Sequence, residues 1–408
     1  MSTLSISHYF PFSQMVVTRQ SVSEDATMAV VVLKPNERFH PVCHACRTPG
    51  HGIHSEETRA IRDLNLATAQ VTLNCTYRKV FCRACGRVMT EDTGVFDPWS
   101  RVTKRLARFV HDLCKAMTVS DVAVHVGLDW KTVKNIDKAF LEDEYGSPSF
   151  DGLRILAVDE FSVRKGHSYM TVVLNYETGA VVWMGEENKK ETLLGFYALL
   201  TPEQRESIVA VAMDMSIAFT EATKEALPHA AIVFDQYHIV AAFGKVIDRV
   251  RLDELTKAHD RNRDVIKGSK YLLLKNRANL RKRSERAHLR KLLSLNRTLS
   301  IIYILKDKLK HIWSYFSRTW ASKALREWIA LARTIRHPAV NAFCRTLKDH
   351  AHGILNHCDF AIHTSVLEGV NNKIKVIKRK AYGFHDLRYF TLKVFQAFDP
   401  LNRQRIFN

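Results

Sequence analysis

Ile155-Leu-Ala-Val-Asp159, Ile208-Val-Ala-Val-Ala-Met-Asp214 and Ala230-Ala-Ile-Val-Phe-Asp235 are three apolar runs, each closed by an aspartate. Uninterrupted apolar runs of this length read as strands buried on both faces. Carboxylates just past the ends of buried strands sit at the rim of a sheet, where ligands bind. The stretch therefore predicts the acidic core of a metal-dependent enzyme acting on nucleic acid.

Working outward, residues 154–163 are a first strand, followed by a turn at Lys165-Gly166-His167. Residues 169–175 and 180–184 make two more strands, joined by Glu177-Thr178-Gly179. Short glycine turns between apolar runs read as antiparallel hairpins. A helix over 191–200 ends near Pro202, and another over 218–227 ends at Pro228. Three meandering strands, then helix, strand, helix, strand is the order of the RNase H-like fold. That fold carries one carboxylate on the first strand and another after the fourth, the places of Asp159 and Asp214. Glu160 points to the opposite side of its strand and is left out of the set.

The net charge of +19 on 408 residues favours an acidic partner. No apolar run is long enough for a membrane span, and residues 1–17 lack the layout of a signal peptide. A strongly basic chain without membrane features points to nucleic acid. Residues 239–350 hold 27 Lys and Arg against 9 Asp and Glu, nearly the whole excess. This stretch is helical by pattern, includes Arg281-Lys282-Arg283, and reads as an all-helical insertion offering a surface to the DNA backbone. The eight cysteines form no disulfide framework and fit a reducing cytosol.

Four of them form the pairs Cys43-His-Ala-Cys46 and Cys82-Arg-Ala-Cys85, separated by 35 residues. Each pair can present two thiolates from one tight turn, and two such turns complete a tetrahedral zinc shell. A hairpin of residues 69–73 and 78–81 is expected between them. Cys75, His40, His44, His51 and His54 are possible substitute ligands. Residues 1–38 read as an arm with one strand at 29–33.

From Trp99 the period turns helical. Val102, Leu106, Phe109, Val110 and Leu113 share one face, a short helix stops at Gly127, and Asp129 can cap a third helix. Trp130, Val133, Ile136 and Phe140 are expected inward. Helix, glycine turn, helix is the helix-turn-helix pattern, with Lys131, Lys134 and Lys138 outward towards DNA. An ordinary helical hairpin would give the same short pattern. Near the C-terminus, Glu368, Asn372, Lys375 and Arg379 line one helix face, with Val366, Val370, Ile374 and Ile377 towards the other.

These residues resemble the DDE transposases of bacterial insertion sequences, specifically the ISL-three family. The similarity is carried by Ala157-Val-Asp-Glu-Phe161, Ala212-Met-Asp-Met-Ser216, Phe234-Asp-Gln-Tyr-His-Ile239, Glu368-Gly-Val-Asn-Asn-Lys-Ile-Lys375 and Lys378-Arg-Lys-Ala-Tyr-Gly-Phe384. It extends from the Cys pairs to the C-terminal helix. The resemblance implies a catalytic triad of Asp159, Asp214 and Glu368 holding two Mg2+ ions. Two such ions activate a water, stabilise the leaving oxygen and relieve phosphate charge. It further implies hydrolysis at the element end, followed by strand transfer of the 3′-OH. Lys375 and Arg379 would meet flanking phosphates, and Asp235-Gln-Tyr-His238 resembles the C/D-x-x-H element of transposases with helical insertions, which there supports the active site or the DNA end. Zinc on Cys43, Cys46, Cys82 and Cys85 would be structural. Terminal inverted repeats and target DNA are the expected double-stranded partners, bound by at least a homodimer in the bacterial cytoplasm and nucleoid.

The expected organisation is a multidomain α/β chain with an RNase H-like core interrupted by an all-helical insertion. An arm spans 1–38, a zinc module 39–97 and a helix-turn-helix 98–150. The core occupies 151–240, the basic insertion 241–355, and the core resumes over 356–408. Two alternatives stay open: a catalytically silent DNA-binding regulator, and an RNase H-like nuclease or resolvase that cuts without joining.

Overall fold

The computed structural model describes residues 9–164, 168–362, 365–381 and 383–400. Side chains are described for these except at positions 51, 164, 168, 260, 261 and 365–368. The expected turn at Lys165-Gly166-His167 lies outside the described residues. The chain forms two compact units: Met1–Ser147 with Arg379–Leu392, and Pro148–Lys378 with Lys393–Asn408.

The first unit opens with strands β1 (Met15–Val22), β2 (Met28–Pro35), β3 (His51–Arg62), β4 (Gln70–Cys82) and β5 (Arg87–Thr90). They form one sheet in the order β1-β2-β4-β3, with β5 also paired to β4. β2 runs parallel to the first half of β4, and β5 antiparallel to its last four residues. Two sequence expectations are corrected here. Of the arm expected over residues 1–38, the described residues 9–38 instead join the first sheet, where β1 and β2 form a hairpin that buries Ala29, Val31 and Leu33 in its core. Residues 69–73 and 78–81 are not two arms of a hairpin, because both fall in or beside the single strand β4. The intervening Asn74-Cys75-Thr76-Tyr77 keeps the in–out alternation and pairs with β3.

Three helices follow: α1 (Lys104–Ala116), α2 (Val119–Val126) and α3 (Trp130–Tyr145). Each begins at a capping side chain, Thr103, Thr118 and Asp129, that accepts a backbone N–H of the first turn. Gly127 closes α2 in the left-handed region at φ 69°, where a side chain is strained. Val102, Leu106, Val110, Val122, Val126 and Val133 make the three-helix core. Trp130 departs from expectation: it is 52% exposed, because it is the first residue of α3 and stands before the packed turns. Asp63, fully buried at the end of β3, accepts from Thr103 Oγ1 (2.7 Å) and Arg105 Nε (2.8 Å) and so ties the sheet to α1.

In the second unit, β6 (Ile155–Arg164), β7 (Ser168–Asn175) and β8 (Ala180–Glu186) form an antiparallel meander. Helices α4 (Lys190–Ala198) and α5 (Pro202–Ser207) lead to β9 (Ala210–Met213), and α6 (Ile217–Ala226) to β10 (Ala231–Phe234). The sheet order is β10-β9-β6-β7-β8, with β9 parallel to both β6 and β10. Every residue of β9 is buried, as its unbroken apolar run predicts.

A helical region then runs through α7 (Gln236–Lys257), α8 (Asp260–Ile266), α9 (Lys270–Leu274), α10 (Arg283–Leu295), α11 (Arg297–His311), α12 (Arg318–Arg333), α13 (Pro338–Asp349) and α14 (Ala351–Leu355). Its core is continuous with that of the sheet. Phe243 of α7 packs against Trp328 and Phe343 with ring centres 5.1 Å from each. The Trp328 indole N–H donates to the Leu305 carbonyl at 2.8 Å, so the buried ring leaves no polar atom unpaired. The chain closes with α15 (Ser365–Lys380) and α16 (Leu387–Phe398). On α15, Val370 and Ile374 are buried, while Asn372, Lys375 and Arg379 are exposed, matching the predicted faces.

Candidate active site and cysteine centre

Strand β6 is the middle strand of the second sheet, and Asp159 lies along it, 6% exposed. Asp214 follows β9 directly, where its Oδ1 accepts from the Ser216 N–H at 3.0 Å. Because β9 pairs with β6 through Ala212 and Ala157, each two residues before its aspartate, register brings both carboxylates to the same end of neighbouring strands. Asp235 follows β10 and caps α7, its Oδ1 accepting from the Tyr237 N–H at 2.6 Å. His238, one turn on, has Nε2 at 3.7 Å from Asp235 Oδ2. Three neighbouring parallel strands thus each carry an aspartate just past the stretch where they pair.

Burial pushes the Asp159 carboxyl up to about 6, with the Asp214 charge adding to the rise. The Glu160 N–H, His238 and Asn371 oppose that shift. Asp159 Oδ1 accepts from the Glu160 N–H (2.8 Å) and Oδ2 from the Asn371 side-chain amide (2.5 Å). Charge on a carboxyl buried this way is costly, and a cation beside it would offset that cost. Glu160 itself hydrogen-bonds Asn188, away from this set.

Glu368 lies in α15, but its side chain is outside the described residues. What brings α15 to Asp159 is Asn371, three residues later and on the adjacent part of the same face. Sequence reasoning misses Asn371. Its signal is a polar residue beside Val370, one helical turn after the acid. Lys378 of the same helix donates to the Ser162 carbonyl of β6 at 3.2 Å.

In the first unit, Cys43, Cys46, Cys82 and Cys85 converge, all four Sγ atoms lying within 4.8 Å of one another. Cys43 Sγ is 3.9 Å from Cys85 Sγ, and Cys46 Sγ is 3.3 Å from Cys82 Sγ. A tetrahedral zinc with bonds of about 2.3 Å needs sulfurs about 3.8 Å apart, so the cluster fits the ion. Arg47 and Gly86, with φ of 63° and 66°, complete the two turns. Hydrogen bonds from Thr48, with a contribution from Cys82, pull the Cys46 thiol down to about 6, favouring the thiolate that binds metal. Two of the alternative ligands are otherwise occupied. His44 Nδ1 pairs with the Thr90 carbonyl at 3.0 Å, and Cys75 is buried in the sheet core, which pushes its thiol up to about 12.

The predicted DNA-facing residues fall into two groups. Lys131 is exposed at the start of α3, and Arg281, Lys282 and Arg283 are exposed at the start of α10. Lys134 and Lys138 instead converge on Asp386, at 2.8 and 3.0 Å. Asp386 belongs to the Arg379–Leu392 segment of the same unit, whose Arg388 also pairs with Glu142 of α3. Below them, Asp137 is fully buried between His111 Nδ1 (2.8 Å) and the Tyr389 hydroxyl (2.5 Å).

A sheet with aspartates gathered at one end in one unit, and a three-helix DNA-reading motif in the other, define an enzyme that acts on DNA. Residues 156–394 match the DDE family of type ISL3 described as "Transposase". Residues 91–141 match the "Helix-turn-helix domain of transposase family ISL3". The chain is 38% identical over 371 residues to the transposase for insertion sequence element IS1001 of Bordetella parapertussis, covering 90% of this chain and 91% of that relative. It is 27% identical over 355 residues to the transposase for IS1557 of Mycobacterium tuberculosis, covering 80% and 78%. The chain therefore belongs to the ISL3 family of insertion-sequence DDE transposases. No helix among the described residues is long and apolar enough to cross a membrane.

Proposed function

We propose that Asp159, Asp214 and Glu368 are the catalytic triad of this transposase, in an RNase H-like core comprising β6–β10, α4, α6 and α15. The observation that carries this reading is the meeting of Asp159 with Asn371: it brings the helix bearing Glu368 to the strand bearing the buried carboxylate. The parallel register of β6 and β9 supports Asp214 as the second acid.

The three carboxylates would hold two Mg2+ ions, which supply an activated water and charge relief at the phosphate. The protein's own part is to orient the acids and keep Asp159 out of bulk water. Asp235 caps α7 and presents His238 beside the acids, a supporting role. Lys375 and Arg379 on α15, and Arg281, Lys282 and Arg283 in the basic region, are proposed phosphate contacts. Such contacts position DNA without reading its sequence. Lys131 on α3, with Lys134 and Lys138 once released from Asp386, would serve the helix-turn-helix in binding terminal inverted repeats. Zinc on the four cysteines would hold the β3–β5 end of the first sheet. Joining two element ends to one target implies at least a dimer on DNA.

The test uses Asp159→Asn, Asp214→Asn and Glu368→Gln with labelled element ends, target plasmid and Mg2+, beside a gel-shift on the same DNA. Wild type should cut and join. Each variant should bind normally and lose at least about a thousandfold in cleavage, about 4 kcal/mol of transition-state stabilisation. An active Glu368→Gln would remove the third acid from the triad. Cutting without joining by wild type would favour a resolvase, and binding without cutting would favour a silent regulator.

A further inference from the structure

Asn371 does more than touch Asp159. Its side-chain oxygen, Oδ1, is buried and has no hydrogen-bond partner among the described residues. Buried amide oxygens are almost always paired, so an orphan of this kind calls for an explanation, such as a bound water or ion. The nitrogen of the same amide donates to Asp159 Oδ2, which also fixes which end of the amide is which, because a carboxylate can only accept. Oxygen and nitrogen share one carbon, so the orphan oxygen lies within one amide group of the Asp159 carboxylate. Solvent is screened from that atom, and Asp159, which the same amide touches, is an acid that feels the charges of His238 and Asp214. A hydrogen donor or a cation could satisfy it. Beside a buried carboxylate, a hard divalent cation fits best, since such ions take amide carbonyl oxygens together with carboxylates.

We propose that Asn371 is a further member of the divalent-metal site, using both ends of its amide. Nδ2 fixes the Asp159 carboxylate from α15, and Oδ1 is a neutral oxygen donor to the cation that Asp159 binds. The inference rests on the reading of Asp159 as a metal ligand. It adds a residue whose neutral amide helps hold the ion without adding another negative charge to a buried site.

The two functions of the amide can be separated by substitution. Asn371→Asp keeps an oxygen donor and loses the N–H. Asn371→Leu keeps the volume and loses both. The full-length, zinc-loaded protein is titrated with Mn2+ and free ion is followed by electron paramagnetic resonance, without DNA. Asp159→Ala serves as the reference, and circular dichroism with a gel-shift confirms folding. The expected result is that Asn371→Leu weakens Mn2+ binding about 10- to 100-fold, the range for groups that tune a metal ligand. Asn371→Asp should bind at least as tightly as wild type. Equal weakening by both variants would overturn the ligand role and leave only the positioning of Asp159. No change in Asn371→Leu, with Asp159→Ala impaired, would overturn the inference entirely. If Asp159→Ala itself binds Mn2+ normally, the triad reading fails and takes this inference with it.

Discussion

Single atoms decide much at the acidic end of the second sheet. Asp159 is buried because it lies within the central strand, and Asp214 is half-buried because it follows a short one. Gly353 on α14 shows how tightly the neighbouring strand is held. A Cβ there would collide with Phe234 Cδ2, and the Phe234 ring is itself 1% exposed, with nowhere to go. Gly353→Ala should therefore destabilise the protein by about 1–3 kcal/mol, the usual cost of overpacking. It should also lower cleavage, since Phe234 precedes Asp235. Chemical denaturation checks this; an unchanged midpoint would mean that α14 moves aside freely.

At the scale of elements, α3 is bound by a segment distant in sequence. Burial alone would raise the Asp386 carboxyl, but hydrogen bonds from Lys134, the Tyr389 N–H and Lys138 outweigh it and hold the group well below the usual carboxylate range. A depressed carboxyl contributes stability above its ordinary value of 3.8, and loses it as pH falls towards the lower folded value. Asp386→Asn keeps the cap of α16, whose Tyr389 N–H bonds Asp386 Oδ1 at 3.0 Å, while removing the charge. It should cost about 1 kcal/mol at pH 7, as expected of a partly exposed pair of ion contacts. The difference from wild type should shrink below pH 4. Unfolding curves across pH test this, and a deficit that persists unchanged into acid would assign the effect to packing instead. The same variant frees two lysines for DNA.

Across the whole molecule, two units with separate cores should respond separately to zinc removal. The cysteine centre lies at one end of the first sheet, where Met89 packs on the thiols and apolar cover is otherwise thin. Zinc held there would supply folding free energy that the small core does not. A chelator, or Cys82→Ser, should lower the first unit's melting temperature and abolish specific DNA binding. The second unit, with its larger continuous core, should melt as before. Calorimetry with a zinc assay would show this; a parallel loss in both units would mean that they unfold as one.

Much of this molecule is legible in its amino-acid sequence. The apolar runs ending at Asp159, Asp214 and Asp235 mark their strands, because a strand buried on both faces tolerates little else. The paired cysteines and the Gly127 turn are equally local signals, written in residues a few positions apart. What the chain alone leaves undecided is long-range pairing. Cys75 and its neighbours read locally as a turn, yet β3 pairs with β4 through them and holds them extended. Lys134 and Lys138 read as free cations because Asp386 is about 250 residues away. Asn371 reads as an ordinary helix amide, and only the tertiary fold sets it against Asp159. Local periodicity determines which residues face inward, but only the packed chain determines which of those faces meet, and the polar contacts of the site exist only there.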